Sequence, residues 1–196
     1  MEFIDDDLHE NFEIEIRFLD IAKENLINQI IDLGGEKIEE FLLTETIFFD
    51  KDLQFRSEEK FVRLRSFGSN RHTISYKQHR SNATLEKETI EYETNLDDIV
   101  AMRKILESIG LIAFRRQEKQ RVSFKLGSVI LDIDTWPNVP PYLEIEGKNE
   151  NDIQNAAIKL GFDWKKAEHR TPKTIIEEVY NIPVSKLKYF TFSKIA

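Results

Sequence analysis

With 196 residues, the chain is long enough to bury one sizeable hydrophobic core, and we expect a single domain over residues 1–196. It has no cysteine, which excludes a disulfide framework and a thiolate metal site, and its apolar runs are too short for a transmembrane helix. A net charge of −8 argues against binding to duplex nucleic acid. The acidic N-terminus lacks the order of a secretory signal, which favours a cytoplasmic location.

The first half of the chain contains several segments in which apolar and charged residues alternate. The first segment runs from Phe12 to Phe18, and its period of two predicts a strand with one apolar and one charged face. Apolar residues at helical spacing follow, so we expect a helix that is capped by Asp20 and ended by Gly34-Gly35. Shorter alternating segments then come at residues 62–65, 74–77 and 90–93.

The second half begins with a helix that is predicted to start at Asp97 or Asp98. Alternation returns around residues 119–121, 131–134 and 143–146. Two more helices are indicated, one over residues 153–160 and one from Thr171-Pro172 to about Tyr180. Since strands and helices do not alternate regularly, the pattern favours an antiparallel sheet and an α+β fold.

The charged residues of these strands are sorted by sign. The acidic and the basic pairs are Glu13/Glu15, Glu91/Glu93, Asp132/Asp134 and Glu144/Glu146 on one hand, and Arg63/Arg65 and Lys119/Arg121 on the other. A solvated outer face would explain any one segment taken alone. However, four helices with apolar faces need an apolar surface to cover, so we expect the charged face to be the enclosed side of the sheet.

Paired carboxylates and paired basic residues suit different parts of one ligand. Carboxylate oxygens bind hard divalent cations such as Mg²⁺ and Mn²⁺. Arginine and lysine bind phosphoryl oxygens. A ligand that needs both at once is a metal-chelated polyphosphate, which we therefore predict as the small-molecule partner.

Short motifs follow one another in a fixed order between about residue 11 and about residue 180. They are Glu13–Arg17, Thr46–Asp50, Val62–Arg65, Ser75–Lys77, Glu91–Glu93, Lys119–Arg121, Leu131–Asp132 and Leu143–Gly147. In this order they resemble the CYTH superfamily, the triphosphate tunnel metalloenzymes. That superfamily includes class IV adenylate cyclases, thiamine triphosphatases and inorganic triphosphatases.

The resemblance implies an eight-stranded antiparallel β-barrel, the triphosphate tunnel, with flanking helices. It implies that Mg²⁺ or Mn²⁺ is held by Glu13, Glu15, Asp132, Glu144 and Glu146, of which the four glutamates are the expected catalytic residues. It implies that the triphosphate is bound by Arg17, Arg63, Arg65, Lys77, Lys119 and Arg121. Glu91 and Glu93 are expected to support the site by binding metal or by orienting the basic residues.

Arg17 departs from the family pattern, which has lysine at this position. Arginine keeps the positive charge, but it is bulkier and does not deprotonate in proteins. Phosphate binding is therefore expected to survive the change. Chemistry that depends on a lysine amine is not expected to survive it.

Three functions remain open from the sequence. The favoured one is metal-dependent hydrolysis of a phosphoanhydride in inorganic triphosphate, a nucleoside triphosphate or a related organic triphosphate. The alternatives are conversion of ATP to cyclic AMP and pyrophosphate, as in class IV adenylate cyclases, and a module that binds triphosphate without turnover. The oligomeric state is not predicted by the sequence.

Two further segments carry weaker signals. The proline-rich segment from Trp136 to Tyr142 predicts a rigid connection between strands, with stacking of Trp136 on a base at the tunnel mouth as the alternative. The tail from Lys186 to Lys194 is predicted to pack as a terminal strand.

Overall fold

The computed structural model describes residues 14–80 and 88–196 and contains one ten-stranded sheet with helices packed against it. The strands are β1 (Ile14–Phe18), β2 (Glu36–Asp50), β3 (Lys60–Phe67), β4 (Arg71–Arg80), β5 (Glu88–Leu96), β6 (Leu111–Leu126), β7 (Val129–Thr135), β8 (Tyr142–Gly147), β9 (Tyr189–Thr191) and β10 (Lys194–Ile195). The helices are α1 (Lys23–Asp32), α2 (Gln54–Ser57), α3 (Ile99–Ser108), α4 (Glu150–Lys159) and α5 (Pro172–Glu178). The predicted α+β class is confirmed.

Eight of the strands form a continuous path in the order β1-β8-β7-β6-β2-β3-β4-β5, and every neighbouring pair in it is antiparallel. This confirms the predicted eight-stranded antiparallel architecture. In the described residues no backbone ladder joins β1 to β5, so hydrogen bonds do not close the sheet into a complete barrel. The arrangement is compatible with a barrel-like tunnel whose seam lies between those two strands.

The C-terminal tail extends the sheet along one edge of β6. Strand β9 pairs with β6 in parallel, with Tyr189 opposite Arg116, and it pairs with β10 in antiparallel. The sequence predicted a terminal strand here, and the structure confirms it. None of the helices in the described part of the chain has the length and apolar character that a bilayer crossing requires.

The helices cover the apolar side of the sheet. In the largest core cluster, Leu26 of α1 and Ile153 of α4 pack with Ile16, Leu131 and Ile145 from the strands. A smaller cluster joins α3 to β2 and β3 through Leu106, Phe48 and Leu64. Because side chains alternate between the two faces of a strand, this packing leaves the charged residues on the opposite face.

Two of the predicted helix caps are confirmed, and one is wrong. Asp98 accepts hydrogen bonds from the backbone of Val100 and Ala101, both 2.9 Å long, and Thr171 caps α5. Asp20 does not cap α1, since the N-cap position is Ala22 and Asp20 lies in a left-handed turn with φ 53°. Its carboxylate instead accepts a hydrogen bond of 2.8 Å from Tyr180. Helix α5 ends at Glu178, two residues before the predicted end.

Candidate functional site

Strand register places the predicted site residues on one face of the sheet. Residues that lie directly opposite one another on neighbouring strands project to the same face. The pairs that establish this are Glu15–Glu146, Arg17–Glu144, Asp132–Glu144, Arg121–Asp134, Glu45–Gln117, Glu45–Arg65, Arg63–Ser75, Ser75–Glu93 and Lys77–Glu91. Lys119 joins the set two residues from Arg121. Glu13 lies outside the described residues.

Within this face, one group of ion pairs is centred on β8. We call it the β8 cluster, and it comprises Arg17, Lys119, Arg121, Asp132, Asp134 and Glu144. Arg17 is buried, and its Nε donates a hydrogen bond of 2.7 Å to Glu144. Its Nη2 donates to Glu15, and its Nη1 donates to the backbone carbonyl of Arg170 at 3.2 Å. Burial acts to lower the pKa of Arg17, but the carboxylates of Glu144 and Glu15 outweigh it and raise the pKa, so this guanidinium stays charged.

Two predicted phosphate-binding residues converge on Asp134, which belongs to a predicted acidic pair but was not among the expected metal- or phosphate-binding residues. Arg121 contacts both Asp134 oxygens, through Nε at 2.6 Å and Nη2 at 2.7 Å, and Lys119 donates to Oδ2 at 2.7 Å. The Asp134 side chain has 0% exposure. Burial acts to raise its pKa, but Arg121 and Lys119 hold the pKa well below the ordinary value. Asp134 is therefore an ionised anchor for both cations.

Arginine and serine side chains already bind the remaining carboxylates of the β8 cluster. Glu144 accepts from Arg17 on one oxygen and from Arg121 Nη2 on the other, at 3.0 Å. Burial acts to raise its pKa, whereas the two arginines lower it. Asp132 accepts from Ser123 at 2.6 Å and from Arg121, yet burial dominates and raises the pKa of Asp132.

A second group of ion pairs is centred on β3. We call it the β3 cluster, and it comprises Glu45, Arg63, Arg65, Lys77, Glu91 and Glu93. Glu91 accepts from Arg63 Nη2 at 2.8 Å and from Lys77 Nζ at 3.0 Å. Burial acts to raise the pKa of Glu91, but these cations lower it. Glu93 lies 3.5 Å from Arg65, and burial raises its pKa.

Glu45 links the β3 cluster to strand β6, and sequence reasoning missed it. Its side chain is buried on β2, where Oε1 lies 3.4 Å from Arg63 and 3.3 Å from Arg65. The other oxygen accepts a hydrogen bond of 2.6 Å from Gln117 on β6. The apolar Leu43 and Ile47 lie two residues to either side of Glu45, on the same face, so its stretch of β2 shows no alternation that could have marked this carboxylate.

The connection from Trp136 to Tyr142 is structural in this arrangement. Trp136 is buried, donates a hydrogen bond of 2.9 Å to the Tyr142 hydroxyl and stacks on Phe190 with ring centroids 5.8 Å apart. Its ring also lies 5.4 Å from Lys119 Nζ. The alternative that Trp136 stacks on a base at a tunnel mouth is not supported, because protein side chains cover the ring.

The donor chemistry of this face fits a divalent cation. Glu15 and Glu146 lie opposite one another on β1 and β8, next to Glu144, and carboxylate oxygens are the ligands that Mg²⁺ and Mn²⁺ prefer. An oxygen that accepts one hydrogen bond keeps a second lone pair. In residues 14–80 and 88–196, however, no three Asp, Glu or His side chains are grouped as a metal site would require. Binding would therefore require rearrangement of ion pairs or a contribution from Glu13, which is not described.

Comparison with models of known protein families identifies the family of this chain. The family model of the CYTH domain matches residues 11–180. The chain belongs to the CYTH domain family. The match covers the same range over which the ordered motifs were recognised, so the suspected relationship is confirmed. None of the proteins with curated functions matches this CYTH domain significantly.

Solved structures share the fold of this CYTH domain at low sequence identity. A candidate adenylate cyclase from Vibrio parahaemolyticus has 15% identity and a TM-score of 0.72, with coverage of 85% of this chain and 98% of the other. The PH1012 protein from Pyrococcus horikoshii has 19% identity and a TM-score of 0.66, with coverage of 82% and 96%. A protein from Hippeastrum, described as a candidate adenylyl cyclase with a dominant triphosphatase activity, has 13% identity and a TM-score of 0.60, with coverage of 86% and 95%.

Proposed function

We propose that this CYTH domain hydrolyses a phosphoanhydride bond of inorganic triphosphate, a nucleoside triphosphate or a related organic triphosphate, with Mg²⁺ or Mn²⁺ as cofactor. One observation carries the proposal, namely the convergence of five cationic side chains and a row of carboxylates on one face of adjacent strands. The cations are Arg63, Arg65, Lys77, Lys119 and Arg121. A triphosphate carries several negative charges along its length, which matches a row of cations better than a single anion would.

The β3 cluster is suited to exchange its partners for phosphate. Arg63 and Lys77 are held by Glu91, a carboxylate with about a third of its side chain exposed to solvent. Phosphoryl oxygens can replace that carboxylate on the same donors, since guanidinium groups bind either anion through two parallel hydrogen bonds. Glu91 would then orient the cations before the substrate arrives, which is the supporting role expected for it.

On the other side of the face, Asp134 holds Lys119 and Arg121 in fixed positions. Two such cations can neutralise charge that develops on the transferred and leaving phosphoryl groups. Positioned donors that need no rearrangement contribute most to this kind of stabilisation. Arg17 is less accessible than Arg121, since its side chain is 5% exposed against 18%, and its three nitrogens donate to protein acceptors. We therefore expect Arg17 to act on the carboxylates rather than to contact the substrate directly.

Glu13, Glu15, Asp132, Glu144 and Glu146 are the residues that would hold the divalent cation. When bound, the ion would neutralise phosphate charge and lower the pKa of a bound water so that it attacks phosphorus. The contact between Glu144 and Arg121 at 3.0 Å would place the carboxylates beside the phosphate-binding cations. The dominant triphosphatase activity described for the Hippeastrum protein also favours hydrolysis over cyclisation.

Product analysis tests the proposal. The purified protein would be incubated with tripolyphosphate or with ATP, in the presence of Mg²⁺ or Mn²⁺, and the products would be separated by ion-exchange chromatography. Metal-dependent release of orthophosphate is the expected result. Cyclic AMP with pyrophosphate would instead show a cyclase. Metal-dependent binding of tripolyphosphate without any product would show a binding module, and either outcome would overturn the proposal.

A further inference from the structure

We propose that Arg17 is a built-in cation that neutralises Glu15 and Glu144, so that the β1–β8 end of the face binds a single exchangeable divalent ion. The inference rests on the proposed function, because it concerns the metal ions that the triphosphatase reaction would use. It narrows the expected metal-binding carboxylates to those that Arg17 does not hold.

The contacts of Arg17 use all three nitrogens of its guanidinium group. A guanidinium group is a planar fork, and here its nitrogens donate to Glu144, to Glu15 and to the carbonyl of Arg170. The side chain therefore bridges two carboxylates from neighbouring strands. A divalent ion that bound both of these carboxylates would have to occupy the position that the guanidinium takes.

The backbone of Arg17 is fixed on both sides. On one side Arg17 pairs with Glu144 in the β1–β8 ladder. On the other side its N–H donates to the Glu168 carbonyl at 3.0 Å, and the Glu168 N–H donates to the Arg17 carbonyl at 2.9 Å. The strand therefore cannot move the guanidinium away without breaking hydrogen bonds to two segments of the chain.

Electrostatic repulsion also disfavours a divalent ion at Glu144. Glu144 contacts Arg121 as well as Arg17, so two guanidinium groups surround this one carboxylate. A divalent ion at Glu144 would be repelled by both groups at close range, in a site with little water to screen the charges. Lysine would behave differently here, because a single ammonium nitrogen on a flexible stem cannot bridge two carboxylates and a carbonyl in one plane.

Counting bound Mn²⁺ tests the inference directly. Equilibrium dialysis of the purified protein against Mn²⁺ alone, with free ion measured by electron paramagnetic resonance, gives the number of ions bound per chain. We expect one ion for the wild type and two for Arg17→Lys. Arg17→Gln, which removes the charge but keeps a side-chain amide donor, should also bind two. Arg103→Lys is the matched control, because Arg103 pairs with Glu107 at 2.9 Å on the exposed face of α3, and it should bind one ion.

The wild-type count is informative by itself, so the test does not depend on the folding of the variants. Two ions bound to the wild type, or one ion bound to folded Arg17→Lys and Arg17→Gln, would overturn the inference. Thermal melting establishes that each variant is folded. The proposed function fails in a different way, since a wild type that binds one ion and releases no orthophosphate would refute hydrolysis while leaving the role of Arg17 intact.

Discussion

The β8 cluster and the β3 cluster use the same side-chain chemistry on the same face of the sheet, but they differ in how far water reaches them. The carboxylates Asp134 and Glu144 have side-chain exposures of 0% and 7%, whereas Glu91 and Glu93 have 32% and 37%; in the β3 cluster only Glu45, at 5%, is buried. Ion pairs that water reaches contribute little to stability and exchange partners readily. Buried pairs exchange partners less readily, because breaking one leaves an unpaired charge in a poorly solvated site. The comparison indicates that the β8 cluster fixes geometry and that the β3 cluster receives the ligand.

The hydrophobic core beneath the β8 cluster is larger than the core beneath the β3 cluster. Helices α1 and α4 pack against the strands of the β8 cluster, and fifteen buried residues form that core. Helix α3 packs beneath the β3 cluster in a core of three buried residues, Phe48, Leu64 and Leu106, with partly buried neighbours. Since local stability follows buried apolar contacts, the β3 half is expected to open more readily.

The largest effect is expected from Glu144→Gln in the β8 cluster. Losing this charge leaves Arg17 and Arg121 without their shared carboxylate, so we expect turnover to fall by about 100-fold or more and stability by about 3 kcal/mol. Steady-state kinetics and urea unfolding would measure the two changes. Glu107→Gln is the control, because this exposed residue pairs with Arg103 on α3, and it should change stability by less than about 0.5 kcal/mol. A folded Glu144→Gln protein with full turnover would contradict the assignment.

A smaller effect, of a different kind, is expected from Arg63→Ala in the β3 cluster. Removing a charged donor to phosphate should raise KM for tripolyphosphate roughly 10- to 100-fold, which corresponds to about 1.5–3 kcal/mol. The melting temperature should fall only modestly, since Glu91 is reached by water and the buried Glu45 keeps Arg65 and Gln117 as partners. Arg71→Ala is the matched control, because Arg71 pairs with Glu39 at 3.0 Å at an exposed position on the adjoining strand. An unchanged KM for Arg63→Ala, or an equal rise for Arg71→Ala, would remove the distinction between the clusters.

Within the β3 cluster, Glu91 and Glu93 are expected to have opposite effects on stability, because their pKa values are shifted in opposite directions. The pKa of Glu91 is lowered, so this carboxylate stabilises the fold above its unfolded pKa of about 4.3 and loses that contribution as the pH falls through its folded value. The pKa of Glu93 is raised, so its charge destabilises the fold at neutral pH, and protonation relieves this as the pH falls.

Glu91→Gln should therefore lower the melting temperature at pH 7 by roughly 2–4 °C and have less effect at pH 3. Glu93→Gln should raise the melting temperature slightly at pH 7. Melting curves between pH 7 and pH 3 would measure both variants against the wild type. Shifts of the same sign in the two variants at pH 7 would show that the neighbouring cations do not discriminate between these carboxylates.

The smallest effects are expected at the helix caps behind the two clusters. Asp98→Ala removes the cap of α3, and Asn149→Ala removes the cap of α4, which accepts from Asp152 at 2.9 Å. Each should cost about 1 kcal/mol and leave KM unchanged, because the caps lie away from the charged face. Thermal melting and steady-state kinetics would test this. A raised KM in Asp98→Ala alone would show that the geometry of the β3 cluster depends on α3.

Much of the charged face was predictable because alternation along a strand is a local property. Arg63 and Arg65, two residues apart, must share a face, and the same reasoning applies to Asp132 and Asp134. The sequence could not show which strands are neighbours, so the convergence of Lys119 and Arg121 on Asp134 was not foreseen.

The features that the sequence did not predict depend on the surrounding structure. Glu45 lies on a strand with apolar residues on both faces, which hides its carboxylate from any pattern of period two. Asp20 has the residue type of a cap, but its backbone is left-handed, whereas an N-cap residue takes an extended conformation such as that of Ala22. The bridging role of Arg17 depends on Glu144, which is 127 residues away along the chain.

That separation also bears on how the protein is made. At about 5–20 residues per second, a ribosome needs roughly 6–25 s to synthesise the 127 residues between Arg17 and its partner Glu144. During this interval β1 has no neighbour on the sheet, and its Ile16 and Phe18 have no core to enter. A lone apolar strand tends to pair with other nascent chains, and charged side chains along it oppose such pairing. Arg17 is thus expected to keep the waiting strand soluble before it holds the carboxylates of the finished site.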